Sequence, residues 1–175
     1  MPEDDKLARF EQMIVPHLDA AYNLARWLTG RDHDAEDVVQ EAYLRAFQFF
    51  GGFHGPGGRA WLLTIVRNTC HTWLEHNRKR QPATTFDEEK HGTPTLAASP
   101  ESLLSRKEDR QVVRQAVEQL PPDFREVIVL RELEGMSYQE IAGIAAIPLG
   151  TVMSRLARAR ERLEESLVSL KGTQE

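Results

Sequence analysis

Cysteine is almost absent from this sequence, since Cys70 is the one thiol in 175 residues. A single thiol cannot form an internal disulfide, which argues against a disulfide-stabilised extracellular domain and suits a small helix residue in a reducing cytoplasm. No apolar run approaches the ~20 residues that span a bilayer. The first residues, MPEDDK, lack the basic-then-apolar layout of a signal peptide. We therefore expect a cytoplasmic protein that does not insert into a membrane.

Sequence motifs for catalysis and metal binding are also missing. There is no Cys-x-x-Cys, phosphate loop or nucleophile elbow. Asp37 and Glu41 as a catalytic carboxylate pair would lack an accompanying nucleophile or metal set. We therefore expect no enzyme, no cofactor, no metal and no small-molecule substrate. The histidines are scattered without metal-ligand spacing, at His17, His33, His54, His71, His76 and His91.

Basic residues are in deficit, because the net charge is −5, but the charge is unevenly distributed. Residues 59–80 carry a net +4 and residues 151–162 a net +3, whereas acidic residues concentrate between positions 32 and 41. The two basic segments predict contact with DNA. Since affinity for DNA comes mainly from neutralised phosphates, we expect the free protein to bind DNA poorly and to need a partner.

Strand-like alternation is absent, and apolar residues recur at helical spacing. The pattern predicts one helix over about residues 7–28, ended by Gly30, and a second capped by Asp34 with Asp37 three residues later. The glycine-rich loop Gly51–Gly58 then precedes a third helix over about residues 59–77. The predicted inward side chains are Phe10, Ile14, Leu18, Ala21, Ala25 and Leu28 in the first helix; Val38, Val39, Ala42, Tyr43, Ala46, Phe47 and Phe50 in the second; and Trp61, Leu62, Ile65, Thr69 and Trp73 in the third.

Residues 81–107 interrupt the helical pattern. They are rich in Pro, Thr, Ser and Ala and mildly acidic, which is typical of a flexible linker. A second helical set follows, and Pro121-Pro122 ends its first helix. The predicted fold is therefore all-α, with two small helical domains, residues 1–80 and 108–175, joined by the linker. The inward positions of that first helix are Val112, Val113, Ala116, Val117 and Leu120.

The C-terminal domain contains a predicted helix-turn-helix. Ser137 caps a short helix, with Glu140 at its third position, and a break near residues 145–148 separates it from a longer helix. The outward side chains of the longer helix suit phosphates and base edges in a major groove. A charged, solvated helix on a bundle is the alternative, but it does not explain why cap, turn and arginines coincide. These outward residues are Ser154, Arg155 and Arg158.

Two blocks of the sequence carry recognisable motifs. The first contains DAEDVVQEAYLRAF at residues 34–47 and WLLTIVRNT at 61–69. The second contains LPPDFREV at 120–127, LRELEGMSYQEIA at 130–142 and PLGTV at 148–152. These blocks resemble the second and fourth conserved regions of extracytoplasmic-function (ECF) sigma factors, a subfamily of sigma-70-type factors. The blocks have the family's order and separation, and they cover nearly everything outside the linker.

The resemblance implies a transcription initiation factor that joins core RNA polymerase. In the family, the second helix docks on a coiled coil of the largest subunit; the polymerase flap and an anti-sigma factor are further implied partners. From the residues alone, a merely solvated face with Glu41 and Arg45 as an i,i+4 pair is the alternative. The implied polymerase-binding residues are Asp37, Gln40, Glu41, Arg45 and Gln48.

The glycine-rich loop and third helix resemble the part that opens the minus-10 promoter element. Unstacking a base costs a few kcal/mol, and stacking a captured base returns about 1–3 kcal/mol. Asn68 offers both a donor and an acceptor to a base edge, whereas Trp61 and Trp73 are predicted to be core. The implied minus-10 residues are Phe53, Arg67, Asn68, His71, Arg78, Lys79 and Arg80.

The second helix of the helix-turn-helix is expected to read the minus-35 element. Two positions depart from the family pattern. Met153 stands where relatives usually place Lys or Arg, and Ala146 stands where a turn glycine is common. If position 146 needs a positive φ, alanine adds ~1 kcal/mol of strain. The implied minus-35 residues are Arg131, Thr151, Ser154, Arg155 and Arg158.

Two other protein classes would account for part of the sequence. A response-regulator-like or repressor protein would explain residues 108–168 but not residues 10–80, and it should bind its operator without polymerase. An anti-sigma factor or other adaptor would lack a basic recognition helix. The resemblance over both blocks therefore favours a sigma factor.

Overall fold

A computed structural model of the chain describes the backbone of residues 2–78 and 100–172, with side chains placed for 2–77 and 107–169. Throughout these residues the regular structure is helical, without a strand. The helices form two domains, and the predicted all-α fold is confirmed. Most of the predicted linker, residues 81–99, lies outside the described residues.

The N-terminal domain is a bundle in which the first predicted helix is broken. Its helices are α1 (Glu3–Met13), α2 (Leu18–Thr29), α3 (Asp32–Phe49) and α4 (Gly58–Arg78), with 3₁₀ turns at Val15–His17 and Phe50–Gly52. The prediction of one helix over residues 7–28 is wrong because Pro16 lies inside it. Proline has no N–H for the helical ladder and its ring clashes with the preceding turn.

The α2–α3 turn ends one helix as predicted but begins the next differently. Gly30 adopts φ +82° and donates its N–H to the Arg26 carbonyl, as a left-handed C-cap requires. Asp34 is not the cap, because α3 begins at Asp32 and Arg31 before it makes no side-chain cap. Instead, Asp32 accepts a 2.5 Å hydrogen bond from Arg26 Nε, and this ion pair fixes the turn.

The core of this domain follows the predicted stripes with local shifts. Leu18, predicted to be inward, is 45% exposed at the first position of α2, whereas Leu24, which was not predicted, is fully buried beside Ala21 and Ala25. Tyr43, Phe47, Trp61, Ile65 and Trp73 are only partly buried against the core. The fully buried α4 residues are Leu62, Leu63, Val66 and Cys70, with Thr69 at 1% exposure.

The C-terminal domain starts earlier than the sequence predicts. Its helices are α5 (Pro100–Glu118), α6 (Pro122–Ile128), α7 (Tyr138–Ala145) and α8 (Leu149–Gly172), with a π-helical turn at Val129–Leu133. Residues 100–107 are therefore helical rather than linker, since proline at a first helical position lacks only an N–H that would be unpaired there. Val113, predicted to be inward, is 50% exposed.

The helix-turn-helix forms as predicted. Ser137 Oγ accepts a hydrogen bond from the Glu140 N–H, and Glu140 Oε1 accepts one from the Ser137 N–H, which completes the capping box. Ala146 ends α7 with φ +56°, so the position is left-handed and alanine is strained there by ~1 kcal/mol. The axes of α7 and α8 diverge by 101°, while Val152 and Leu156 are buried between them and the rest of the domain.

The two domains pack against each other. Helix α4 lies along α7, and α2 contacts both α6 and the π-helical turn. Buried side chains from both domains form one continuous apolar cluster. This packing places the DNA-facing residues expected on α4 beside the C-terminal domain.

Candidate polymerase-binding and DNA-binding surfaces

The polar side of α3 is solvent-exposed, as its spacing predicts. Asp37, Gln40, Glu41 and Gln48 are exposed, while the opposite side of the helix is buried through Ala35, Val38, Ala42 and Ala46. Arg45 Nη2 donates a 2.8 Å hydrogen bond to Glu41 Oε1, so these two residues form the expected i,i+4 pair. Helix α3 therefore presents a polar surface to solvent, while its opposite side packs into the core of the domain.

One apolar residue on this surface escaped the sequence reading. Leu44 is 69% exposed and lies one turn from Gln40 and Gln48. A single exposed leucine is common on protein surfaces, but this one lies among the polar residues that are expected to contact polymerase. The signal was available, because Leu44 stands outside the buried stripe of the helix.

A shallow groove of about 460 Å³ runs beside this face between α2 and α3. Tyr43 lines it and donates a long, 3.4 Å hydrogen bond to the Ile14 carbonyl. Burial, together with the nearby Asp19 carboxylate, raises the pKa of Tyr43 to about 12, so the phenol stays a neutral donor. The lining residues are Leu18, Asp19, Tyr22, Glu36, Val39, Gln40 and Tyr43.

The glycine-rich loop is tied to the domain by aromatic packing. The Phe53 ring lies 4.8 Å from the Trp61 ring and stacks on Phe50 at 6.2 Å. Phe53 is half-buried, so only part of the ring is open to a base. A Cβ built at Gly58 would lie 3.1 Å from the Met13 carbonyl oxygen, which explains why glycine begins α4 against α1. The expected minus-10 residue Phe53 thus also belongs to the edge of the core.

On α4 the structure brings three of the expected minus-10 residues together. Asn68 is exposed, and its Oδ1 accepts a 3.3 Å hydrogen bond from Arg67 Nη1. His71 is partly exposed one turn further on. Arg78 ends the helix with no described side chain, and Lys79 and Arg80 lie outside the described residues.

Arg67 does not face solvent. Its Nε donates a 2.5 Å hydrogen bond to Glu126 Oε1 of α6, and only 17% of its side chain is exposed. His71 Nε2 lies 3.7 Å from the same oxygen, beyond a hydrogen bond but close enough for strong attraction when the ring is protonated. A second cross-domain ion pair joins Arg59 Nη2 to Glu134 Oε2 at 2.8 Å.

The Glu126 carboxylate is 1% exposed. Burial pushes its pKa upward, but His71 and Arg67 together outweigh that effect and hold the pKa below its ordinary value. Glu126 therefore stays charged at neutral pH although it is buried where the two domains meet. Cys70, its buried neighbour, has a pKa raised to about 12 by burial and by the Glu126 charge, so the thiol is inert.

Glu126 and Glu134, the carboxylates that pair with α4, are the residues that sequence reasoning missed. Glu126 directly precedes the apolar run Val127–Leu130, and a buried carboxylate needs a cationic partner. That pattern signals a partner but does not say where in the chain it lies.

The expected minus-35 surface is open on α8. Ser154 and Arg158 are exposed, and Thr151 is partly exposed, as the helical spacing predicts. Arg155 is turned partly toward α6, where its Nη2 lies 3.9 Å from Asp123 Oδ2 and 25% of its side chain remains exposed. Met153 is 53% exposed, so the departure from the family pattern lies on this surface.

Arg131 is held by its own domain. Its Nη1 donates a 2.9 Å hydrogen bond to the Met136 carbonyl, and its guanidinium lies 4.8 Å from the centre of the Tyr138 ring. These contacts fix the turn before α7 and leave Arg131 partly exposed. Arg131 could therefore contact the minus-35 element, as expected, only through the N–H groups that do not bond to Met136.

Neither a metal site nor a membrane-spanning helix is found among the described residues. No group of three His, Cys, Asp or Glu side chains among them is placed to hold a metal ion. No single helix among them is long and apolar enough to cross a membrane; the pair α7–α8 passes by length and composition only as two segments bent by 101°.

Both domains of this chain match families of known proteins. The family description "Sigma-70 region 2" matches residues 13–80, and "Sigma-70, region 4" matches residues 110–163. Over 144 residues the sequence is 39% identical to the ECF RNA polymerase sigma-E factor of Escherichia coli (strain K12), which covers 78% of this chain and 75% of that protein. It is 37% identical over 174 residues to the RNA polymerase sigma-H factor of Pseudomonas aeruginosa, with 95% and 89% covered.

The fold is similar to that of the sigma factor RpoE from Bartonella quintana, solved in complex with the anti-sigma factor NepR. The TM-score is 0.76 at 28% identity, covering 91% of this chain and 96% of that one. The sequence matches span both domains, and the fold match extends over nearly the whole chain. The chain therefore belongs to the ECF subfamily of sigma-70-type RNA polymerase sigma factors.

Proposed function

We propose that this chain binds core RNA polymerase, directs it to promoters by reading minus-35 and minus-10 elements, and helps to melt the minus-10 element. The exposed face of α3 carries the proposal. Asp37, Gln40 and Glu41 are open to solvent beside the exposed Leu44, and the buried side of the helix holds them in place. A rigid polar surface around an apolar contact point suits docking on a coiled coil of the largest polymerase subunit.

In this proposal the two DNA elements are read by different domains. Helix α8 enters the major groove of the minus-35 duplex with Ser154, Arg155 and Arg158, while the C-terminal domain also contacts the polymerase flap. Asn68 and the basic residues of α4 contact the opened minus-10 strand. Phosphate contacts position both domains, and the side chains that reach bases supply sequence preference.

The chain itself performs no catalysis in this scheme, and the polymerase supplies the chemistry of RNA synthesis. It acts in the cytoplasm, where polymerase and DNA are found. An anti-sigma factor is a further proposed partner, supported by the complex of the similar RpoE with NepR. Copurification from the native host, with no bound inhibitor under any condition, would remove that partner from the proposal.

The test is in vitro transcription with core polymerase over a genomic promoter library. We expect promoter-specific transcripts when the chain is added and none from core polymerase alone. Gel shifts with the chain alone form the comparison, because a repressor-type protein would bind its site tightly without polymerase. Tight binding by the free chain, combined with no specific transcription, would contradict the proposed function.

A further inference from the structure

We propose that Met153, with Leu149 one turn before it, reads the 5-methyl group of a thymine in the minus-35 duplex. The two side chains form an exposed apolar patch at the start of α8, where Leu149 is 43% and Met153 is 53% exposed. Methyl reading rests on the proposed function, because α8 must first enter the major groove of the minus-35 element.

The patch lies on the outer side of α8. Leu149 is the first residue of the helix, and Met153 follows four positions later, so the two are neighbours along the helix surface. The core side of the helix is formed by Val152, Leu156 and Ala159, which are at most 1% exposed. Leu149 and Met153 thus lie away from the core and present apolar surface to solvent.

The patch is continuous with the surface that faces the minus-35 element in the proposed function. Ser154, next to Met153, is exposed, and so is Ala157, one turn further on. A Cβ built at Gly150 would meet nothing within 4 Å, so space is open one turn before Met153. In helix-turn-helix proteins the N-terminal residues of the recognition helix contact base edges. A base edge can therefore approach the patch closely.

Thymine is the base whose edge fits an apolar side chain. In the major groove it presents an O4 acceptor and a C5-methyl group, whereas cytosine presents an amino donor and bears no methyl. An unbranched thioether side chain with three rotatable bonds adapts to the position of such a methyl. Met153 has no hydrogen-bond donor for a phosphate or a guanine, so apolar contact is the main interaction open to it.

The charges of α8 favour the same assignment. Arg155 Nη2 lies 3.9 Å from Asp123 Oδ2, and Arg160 Nη2 donates a 3.0 Å hydrogen bond to Glu132 Oε1. These carboxylates lower the net positive charge of this part of the domain. The exposed Arg158 remains for a phosphate or a guanine, while the patch itself is uncharged. An uncharged apolar patch suits a base edge better than a phosphate.

The expected consequence is a preference for thymine, at one minus-35 position, that depends on the methyl group. Deoxyuridine keeps the pairing and the O4 acceptor of thymidine but lacks the 5-methyl. Loss of the contact with one methyl group should weaken promoter binding about fourfold. A preference that came from hydrogen bonding would instead survive the change to deoxyuridine.

The experiment uses the full chain with core polymerase and a promoter selected from the genomic library. Each thymine of the minus-35 element, on either strand, is replaced singly by deoxyuridine. The thymine and deoxyuridine templates then compete for transcription in one reaction. We expect the parent to favour thymine about fourfold at one position at least.

Variants connect this discrimination to the patch. Met153→Gln keeps the length of the side chain but makes its end polar, so it should transcribe both templates equally at that position, whereas Met153→Leu stays apolar and should retain most of the preference. Val168→Gln makes a corresponding change at a 73% exposed position near the other end of α8 and should discriminate like the parent. The comparison is a double-mutant cycle between one side chain and one methyl, so effects of deoxyuridine on the DNA itself cancel.

Three results would overturn methyl reading: a preferred minus-35 element without thymine on either strand, no discrimination by the parent at any position, or full discrimination by Met153→Gln. The deoxyuridine scan uses the parent chain, so it is decisive even if a variant does not fold. If the parent gives promoter-specific transcripts without discriminating, only methyl reading fails. If it gives no specific transcripts with core polymerase, the proposed function fails as well. Discrimination by the parent that Met153→Gln loses and Val168→Gln keeps supports both.

Discussion

Arg67 and Glu126 lie 59 positions apart in the chain and join the two domains through a 2.5 Å hydrogen bond between Nε and Oε1. Arg67 belongs to the basic helix α4, which is expected to face DNA, and Glu126 is a buried residue of α6 in the C-terminal domain. Their pairing neutralises a buried carboxylate and occupies a cation of the surface that we propose contacts DNA.

The first prediction concerns acid. The pKa of Glu126 is held below its ordinary value of 4.5, because His71 and Arg67 outweigh the effect of burial. A carboxyl group with a lowered pKa in the folded state stabilises the fold at pH above its ordinary pKa, and this stabilisation is lost as pH falls through the folded pKa. We expect Glu126→Gln to melt below the parent near neutral pH, with the difference shrinking below pH 4.5.

Thermal melts of parent and variant over a pH series test this. The exposed-site variant Glu161→Gln is the control and should follow the parent throughout. A melting difference between parent and Glu126→Gln that stays constant from neutral to acid pH would show that the carboxylate charge is not the source of stability.

The second prediction concerns polymerase binding. Replacing Asp37, Gln40 and Glu41 with alanine removes three exposed polar groups and should weaken core binding roughly tenfold or more, about 1.4 kcal/mol. The fold should survive, because none of the three is buried. Glu3→Ala with Asp5→Ala removes the same charge from the exposed first turn of α1 and serves as the matched control. Unchanged affinity of the triple variant in a pull-down titration would rule out the α3 face.

The third prediction concerns promoter melting. Asn68→Ala removes a side chain that offers both a donor and an acceptor to a base. We expect closed-complex formation to remain nearly intact and permanganate reactivity of the minus-10 strand to fall. Asn23→Ala, at an exposed asparagine of α2, is the control and should melt promoters normally. Normal opening by Asn68→Ala would count decisively against a role for this residue.

The fourth prediction concerns minus-35 recognition. Arginine holds guanine bidentately for about 1–3 kcal/mol of discrimination, so Arg155→Ala and Arg158→Ala should each lower transcription from a minus-35-dependent promoter roughly tenfold. Core binding should not change. Arg110→Ala, at an exposed arginine of α5, is the control.

A library of minus-35 sequences separates two kinds of contact. A base-reading arginine relaxes preference at one position when it is removed, whereas a phosphate-binding arginine weakens all promoters alike and reduces the salt dependence. If both variants transcribe like the parent across the library, α8 has been assigned the wrong role.

The fifth prediction concerns the turn of the helix-turn-helix. Ala146 has φ +56°, a conformation in which glycine has no Cβ strain. Ala146→Gly should therefore raise the free energy of unfolding by up to ~1 kcal/mol. Ala157→Gly, at an exposed helical position of α8, should lower it by a similar amount because glycine disfavours helix. Urea titrations measure both; destabilisation by Ala146→Gly would mean that the turn is not strained.

The sequence by itself determined the fold class, the helix-turn-helix and the family, because these depend on local patterns. Helical spacing identified most of the buried stripes, and the Ser137–Glu140 capping box could be read from residue types three positions apart. Local patterns also misled where two signals competed. The apolar stripe ran through Pro16, and the polar composition before residue 107 concealed the start of α5.

Tertiary structure alone decided which charged residues are free. The spacing on α4 predicts that Arg67 points away from its own core, but it cannot say that Glu126 of another domain meets it. Likewise, the spacing on α8 places Arg155 outward, whereas packing of α8 against α6 brings it to 3.9 Å from Asp123. Helical periodicity depends on neighbours three or four residues away, while ion pairing between domains depends on how two separately patterned surfaces meet.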